Sequence, residues 1–255
     1  MERRVLVSIL PTSHQTVSLC ESESHYVRNV LRMKTGHEVL AINGSGKSVY
    51  ARLKFEKKRV ILEYVHQGLC LPVDSIELTV ELAILKGERM NWIISKLTEL
   101  GVNYVIPLCT QHSVVKIQDH SVNDTQARWQ KIADQALKQT KRLHRMKIAA
   151  PQTLQSYFQT QKAAGIKIFC DEQCRDQAPF LMNWLWNLSH TSEQWNILIG
   201  PEGGWSAAER ILIEKENYQK ISLGPFLLRA ETAALFAVSL VSALIQKKHY
   251  ETKAL

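Results

Sequence analysis

The chain has 255 residues, 45% hydrophobic and 22% charged, which is enough apolar content to build one large core or two modest ones and excludes disorder as its main state. Thirty-two Lys+Arg against 24 Asp+Glu leave a formal charge of +8, which favours a polyanionic partner. The apolar run Val5–Leu10 stops at Pro11, too short for a secretory leader, and the uncharged stretch Thr232–Gln246 falls short of a bilayer span, so a soluble cytoplasmic chain with no membrane partner is expected.

Residues 1–72 read as short strand-like runs: Val5–Leu10, Val39–Ile42, Val49–Leu53 and Val60–Tyr64. Turn-forming stretches such as Asn43-Gly44-Ser45-Gly46 separate them, and one helical piece at His25–Met33 interrupts. The pattern predicts a small β-barrel-like domain followed by a linker over Gln67–Asp74. This part holds 11 Lys+Arg against 6 Asp+Glu, and residues 73–255 hold 21 against 18, so the shorter part has the higher charge density. From Ser75 onward strands and helices alternate. Strands are predicted at Ile76–Leu85, Tyr104–Leu108, Ile166–Cys170, Trp195–Ile199 and Ile221–Leu223. Helices are predicted at Met90–Leu100 (capped by Gly101), from Thr125 to Leu143, from Ser206, and over Ala230–Ile245. That alternation implies a mostly parallel sheet covered by helices, an α/β domain over residues 73–255. The five scattered cysteines (Cys20, Cys70, Cys109, Cys170, Cys174) suggest neither a disulfide framework nor a metal site.

Two strand-to-helix loops could carry chemistry. In Leu198-Ile199-Gly200-Pro201-Glu202-Gly203-Gly204-Trp205-Ser206 a buried strand runs into three glycines, and Ser206 with Glu209 forms a capping box. In Ser222-Leu223-Gly224-Pro225-Phe226-Leu227-Leu228-Arg229-Ala230-Glu231 another strand meets Gly-Pro before the most apolar helix. Glu231 suits the first helical turn, whereas Arg229 is a cation at a helix N-terminus and needs an anionic neighbour, protein or ligand. Such loops at strand C-termini are where open α/β sheets bind small molecules, and neither has a dinucleotide or Walker signature. Basic runs at Lys138–Lys147 and Arg52–Arg59, with Arg28, Arg32, Lys86 and Arg89, point to nucleic-acid backbone contacts.

Four blocks in order carry a family likeness: Lys86-Gly87-Glu88-Arg89-Met90, Lys96–Val102, Ile199–Gly204, and Leu223-Gly224 through Leu228–Ala233. Together with His25–Arg32 and Gly36 they resemble the RsmE-type ribosomal RNA small subunit methyltransferases of the SPOUT superfamily. The resemblance implies an N-terminal PUA-like β-barrel (1–72) and a C-terminal SPOUT α/β-knot domain (73–255), trefoil-knotted, in a homodimer. It implies transfer of methyl from S-adenosylmethionine (SAM) to N3 of a uridine in 16S rRNA, with the small ribosomal subunit as partner and no metal. It places SAM against Leu198, Ile199, Gly200, Pro201, Glu202 and Gly203 on one loop and Ser222, Leu223, Gly224, Leu227 and Leu228 on the other. Arg229 and Glu231 are the catalytic candidates, with Glu202 open as an alternative to Glu231. RNA contacts are expected from His25, Arg28, Arg32, Lys86, Arg89, Lys141 and Arg142. The sequence departs from the family pattern at Gln135, Met146, Thr110-Gln111-His112 and Phe226. Two alternatives remain: methylation of a ribose hydroxyl in RNA, and a non-catalytic RNA-binding assembly factor.

Overall fold

The computed structural model describes residues 2–57, 59–71, 76–113, 121–160, 163–174, 177–188 and 192–253. The expected boundary between residues 72 and 73 lies outside them. By contacts the chain groups into two compact units, Met1–Asp74 with Asp134–Arg145, and Ser75–Ala133 with Met146–Leu255.

The first unit is a five-stranded sheet in the order β1-β3-β4-β5-β2, from β1 (Arg4–Leu6), β2 (Val17–Ser18), β3 (Glu38–Ile42), β4 (Lys47–Glu56) and β5 (Arg59–Cys70). Alternate residues Val49, Ala51 and Leu53 of β4 and Val60 and Leu62 of β5 turn inward and meet Val5, Val27, Val39 and Ala41. The helical piece is α1 (Glu21–His25), continued by a π-turn over Tyr26–Val30. β5 continues to Cys70, through much of the segment expected to be a linker, because β4 starts at Lys47 and pairs with it. Gly68 is explained by that pairing, since a Cβ there would lie 2.5 Å from Ser48 Oγ. On the sheet's other face Leu40 and Ile42 meet Leu137 and Leu143 from the 134–145 segment. Lys138 pairs with Glu23 at 2.6 Å, almost fully buried, and the Arg4 guanidinium donates to the carbonyl oxygens of Thr140 and Arg142.

The second unit holds a seven-stranded parallel sheet in the order β12-β10-β11-β6-β7-β8, with β9 also on β7. Its strands are β6 (Glu77–Ala83), β7 (Tyr104–Cys109), β8 (Lys147–Ile148), β9 (Gln152–Thr153), β10 (Ile166–Cys170), β11 (Gln194–Ile199) and β12 (Gln219–Ile221). The central strands are buried on both faces and are mostly apolar, with Thr79 and Glu81 on β6 and Asn196 on β11 as buried polar exceptions. One face is covered by α2 (Glu88–Glu99) and α7 (Ala230–Lys253), through Met90, Ile93, Leu97, Ala234, Val238 and Val241. The other carries Ile106, Leu108, Phe169, Leu198 and Trp205 under α4 (Leu154–Thr160) and α6 (Ala207–Lys215). α3 (Val122–Gln139) and α5 (Leu181–Trp186) complete the helices. The helices α4 and α5 have only two turns or fewer, too short to show a hydrophobic period in sequence.

β12 ends at Ile221 rather than Leu223. Beyond Ile221 the backbone leaves β10 and bonds the 179–181 segment instead, with Ser222 N donating to Pro179 O at 3.0 Å and Leu181 N to Ser222 O at 2.9 Å. Over Ala230–Lys247, α7 is long and apolar enough by length and composition to cross a membrane, more than the stretch Thr232–Gln246 suggested. In this fold it packs on α2, α5 and β11.

Glu81, in the middle of β6, is wholly buried and accepts hydrogen bonds from Tyr157 Oη at 2.5 Å and Tyr218 Oη at 2.8 and 2.7 Å. Burial raises its carboxyl to about 7, with the two phenol donors and the Lys167 ammonium opposing that rise. The folded state therefore holds a proton that the unfolded chain releases near 4.5, so this group's contribution falls as pH rises from about 4.5 to about 7. About 3 kcal/mol is at stake over that window. Urea unfolding of Glu81→Gln against the parent should show the parent losing stability relative to the variant between those pH values; parallel curves would contradict the assignment.

Candidate functional site

Strand order decides where a ligand can sit. β10 lies between β11 and β12, so the residues following these three strands converge at one edge of the parallel sheet. Their C-terminal ends form a cleft lined by Cys170, Asp171 and Glu172 after β10, Ile199–Glu202 and Gly204 after β11, and Ile221–Gly224 with Phe226–Ala230 and Ala233 after β12. Of the cofactor candidates, Ile199, Gly200, Pro201, Glu202, Ser222, Leu223, Gly224, Leu227 and Leu228 are all in the lining, as is Arg229.

Three candidates are not. Leu198 points to the opposite face of β11 and is wholly buried among Leu108, Phe169 and Trp205, as strand alternation requires. Gly203 turns toward His112, whose Cβ would lie 3.0 Å from a Cβ placed on it. Glu231, one residue past Ala230 in the first turn of α7, is rotated away from the cleft, and its Oε2 is buried without a hydrogen-bond partner among the described residues. Conversely, Asp171 and Glu172 were not read from the sequence. They follow an ordinary apolar strand with no glycine or proline to mark a loop.

The two walls are joined from below. Arg210, in the first turn of α6, donates from Nε to Asp171 Oδ2 at 2.8 Å and from Nη2 to Asp171 Oδ1 at 3.0 Å. It also reaches Glu172 Oε1 at 3.0 Å and the Trp205 carbonyl. The Asp171 side chain is wholly buried, so this bidentate pair compensates a carboxylate that water cannot reach. The capping box is present: Glu209 N donates to Ser206 Oγ at 3.3 Å, and Ser206 N to Glu209 Oε2 at 2.9 Å. The other Glu209 oxygen accepts from Gln111 N at 2.8 Å, and His112 Nδ1 lies 3.1 Å from both Gly203 O and Gly204 O. The Thr110–His112 loop thus braces the glycine loop from a fourth strand. Gly200 is needed because a Cβ would lie 2.5 Å from Trp205 Nε1; Gly204 has φ +70 and sits against the Glu172 carboxylate.

The cleft mixes apolar and polar groups. Ile199, Ile221, Leu223, Leu228 and Ala233 supply an apolar surface. Cys170 adds to it: burial pushes its thiol up to about 12, so it stays neutral and is no nucleophile. Burial likewise raises the Glu172 carboxyl, with Asp171 adding to the rise and Arg210 opposing it. Glu202 pairs with Arg89 at 2.7 Å. Arg229 is exposed at the cleft and, among the described residues, makes no ion pair.

The basic candidates have different surroundings. His25, Arg32, Lys86 and Lys141 are exposed. Arg28 lies over the Phe55 ring at 4.6 Å and donates to the carbonyls of Lys57 and Arg59, while Arg142 is half-buried. Within the Lys138–Lys147 run, Lys138 and Arg145 are taken up by Glu23 and Asp134. Lys58, in the other run, lies outside the described residues.

An RNA methyltransferase domain model matches residues 72–242 and an RNA methyltransferase PUA domain model matches residues 19–63. The chain is 30% identical over 251 residues to a Ribosomal RNA small subunit methyltransferase E from Synechocystis sp., covering 96% of this chain and 79% of that protein. It is similar in structure to a putative methyltransferase from Legionella pneumophila in complex with SAM (TM-score 0.84, 27% identity, 95% and 98% covered). A Ribosomal RNA small subunit methyltransferase E from Neisseria gonorrhoeae bound to S-adenosyl methionine matches with TM-score 0.83 and 25% identity, covering 96% of this chain and 98% of that one. An α/β RNA methyltransferase domain on a parallel sheet, with a PUA-like N-terminal domain, is thus the fold class of this chain, as expected from the sequence.

Removing the Arg210 side chain strands the Asp171 carboxylate. Arg210→Ala should lose about 3 kcal/mol in urea unfolding, and adding Asp171→Asn should restore part of it. Additive losses in the double variant would show that the pair is not coupled.

Proposed function

The chain belongs to the ribosomal RNA small subunit methyltransferase E family, and from that membership we propose that it transfers a methyl group from SAM to N3 of a uridine in 16S rRNA. The observation that carries the reading is the Arg229 guanidinium, without an ion-pair partner among the described residues, at a cleft built by both Gly-Pro loops.

The residues fit a sulfonium nucleoside. An apolar surface of Ile199, Ile221, Leu223, Leu228 and Ala233 suits a purine ring, and the backbone of Gly200 and Gly224 lies in the lining beside it, with the Gly224 amide donating to Ser222 Oγ at 3.3 Å. Glu172 in one wall offers a carboxylate to the ammonium of an amino-acid tail. When bound, the cofactor supplies an electrophilic methyl on positively charged sulfur.

Uridine N3 carries a proton and becomes a competent nucleophile only as that proton leaves. Arg229 donates to a uracil carbonyl and stabilises the charge that develops on the ring. Of the two carboxylates left open by the sequence, Glu202 lines the cleft and Glu231 does not. Glu202 Oε1 is occupied by Arg89, so Oε2 is the atom that accepts the N3 proton. Alignment of the base within the cleft supplies much of the remaining acceleration.

The PUA-like unit, with His25, Arg28, Arg32 and Lys141, and the residues Lys86, Arg89 and Arg142 supply phosphate contacts to the rRNA of the small subunit. The protein works in the cytoplasm as a twofold homodimer. Support for the dimer comes from partly exposed Leu235, Phe236, Leu240 and Leu244 on α7, beside Trp92 on α2 (47% exposed) and Trp186 on α5 (72% exposed).

Mass mapping of 16S rRNA from a strain deleted for the gene should show one methyl missing from a uracil; an unchanged map overturns the assignment. Arg229→Ala should keep SAM affinity in calorimetry while turnover falls about 100-fold. Unchanged turnover would remove Arg229 from the chemistry. Sedimentation should give a dimer, and a monomer at assay concentration would refute the twofold interface.

A further inference from the structure

One group at the cleft has no role in the chemistry above. Phe226 lines the cleft together with Arg229, yet 78% of it is exposed, and its neighbour Leu227 is 75% exposed. Other aromatic rings near the site are packed on neighbours: Trp205 lies edge-on against Phe169 beneath the glycine loop and is 2% exposed, and half-buried Phe180 lies 6.5 Å from Phe236. Phe226 is the one aromatic ring among the described residues of the lining, and it makes no ring contact with any of them.

The turn that carries it is stiff. Gly224 occupies φ +116, a conformation that side chains other than glycine rarely adopt, and the Pro225 ring restricts the next φ. The ring is therefore held out at low conformational entropy, which is what a contact surface needs and what a random surface residue lacks. The neighbouring chemistry selects the occupant. An apolar flat ring and a guanidinium without an ion-pair partner among the described residues, both on the Phe226–Arg229 segment, offer a face and an edge donor to a planar group with carbonyl oxygens.

We propose that Phe226 stacks on the face of the base that receives the methyl group, while Arg229 meets its carbonyl edge; this rests on the RNA-methyltransferase reading above. A base that reacts at a ring nitrogen must leave its own stack, losing the contacts of both neighbours. An aromatic side chain restores one of them. Because every base has a π-face, the ring fixes position and depth, and leaves base identity to the hydrogen-bonding edge. Phe226 is thus a binding residue for the acceptor, carried on the same loop whose Leu223, Gly224 and Leu228 line the cleft.

Phe226 is exposed, so its variants should unfold at the parent's temperature, which thermal unfolding checks. Methyl transfer from labelled SAM would be measured on 16S rRNA or small subunits isolated from the deletion strain. Phe226→Ala should lower kcat/KM for RNA about ten-fold, with SAM affinity in calorimetry unchanged. Phe226→Leu should fall as far, since it keeps apolar volume without a π-face, and Phe226→Tyr should recover most of the loss. Full activity in Phe226→Leu would overturn the proposal, as would a loss of SAM affinity in step with activity, which would give the ring to the cofactor. Dissociation of the Phe226→Ala protein in sedimentation would also overturn it, by giving the ring to a second copy. Parent enzyme that binds SAM yet leaves this RNA unmethylated would refute the substrate reading and this proposal with it; parent activity with indifferent Phe226 variants would refute this proposal alone.

Discussion

A carboxylate sealed from water has to be neutralised, and the cleft is organised around one. Asp171 leaves β10 at the point where the flanking loops must meet, and its side chain is wholly buried. The Arg210 fork that satisfies it also holds Glu172 and the Trp205 carbonyl. One guanidinium thereby fixes the exit of β10 against the glycine loop after β11. Arg210 in turn stands on α6, whose first turn is set by the Ser206–Glu209 box, and Glu209 reaches across to Gln111. The walls of the cleft are thus shaped before any ligand arrives, and a preformed site spares the entropy of ordering loops on binding.

Much of this was legible in the chain. The alternation of apolar strands with periodic helices, the capping box and the two Gly-Pro loops are local signals, and each depends on residues close together in sequence. Asp171 and Glu172 escaped because their meaning is not local. They matter only because β10 sits between β11 and β12, an order that no stretch of sequence records. Leu198 and Glu231 fall outside the lining for the same kind of reason: position in the loop was visible, but the side to which each residue turns was not. A knotted connection was expected from the family resemblance alone, since chain connections ordinarily run unthreaded.

The basic character of the chain also divides differently from its sequence runs. Lys138 is buried against Glu23 and lies 4.0 Å from the centre of the Tyr26 ring, and Arg145 is engaged by Asp134 at 2.6 Å from Nε. Arg52 and Lys54 likewise face Glu38 and Glu56. A cluster of positive residues in sequence therefore overstates the cationic surface. His25, Arg32, Lys86 and Lys141 keep their exposure, and the attraction for polyanions rests on such dispersed groups more than on either run.

The grouping of residues 134–145 with the N-terminal sheet has a consequence for biosynthesis. Leu40 and Ile42 are covered by Leu137 and Leu143, about a hundred positions downstream. While the chain is being made, that sheet emerges early with one greasy face open, and it waits for the stretch between Cys70 and Leu143 before the cover is complete. Vectorial synthesis thus gives the first-made part of this molecule no finished state of its own, and leaves its completion to a helix that begins in the other half.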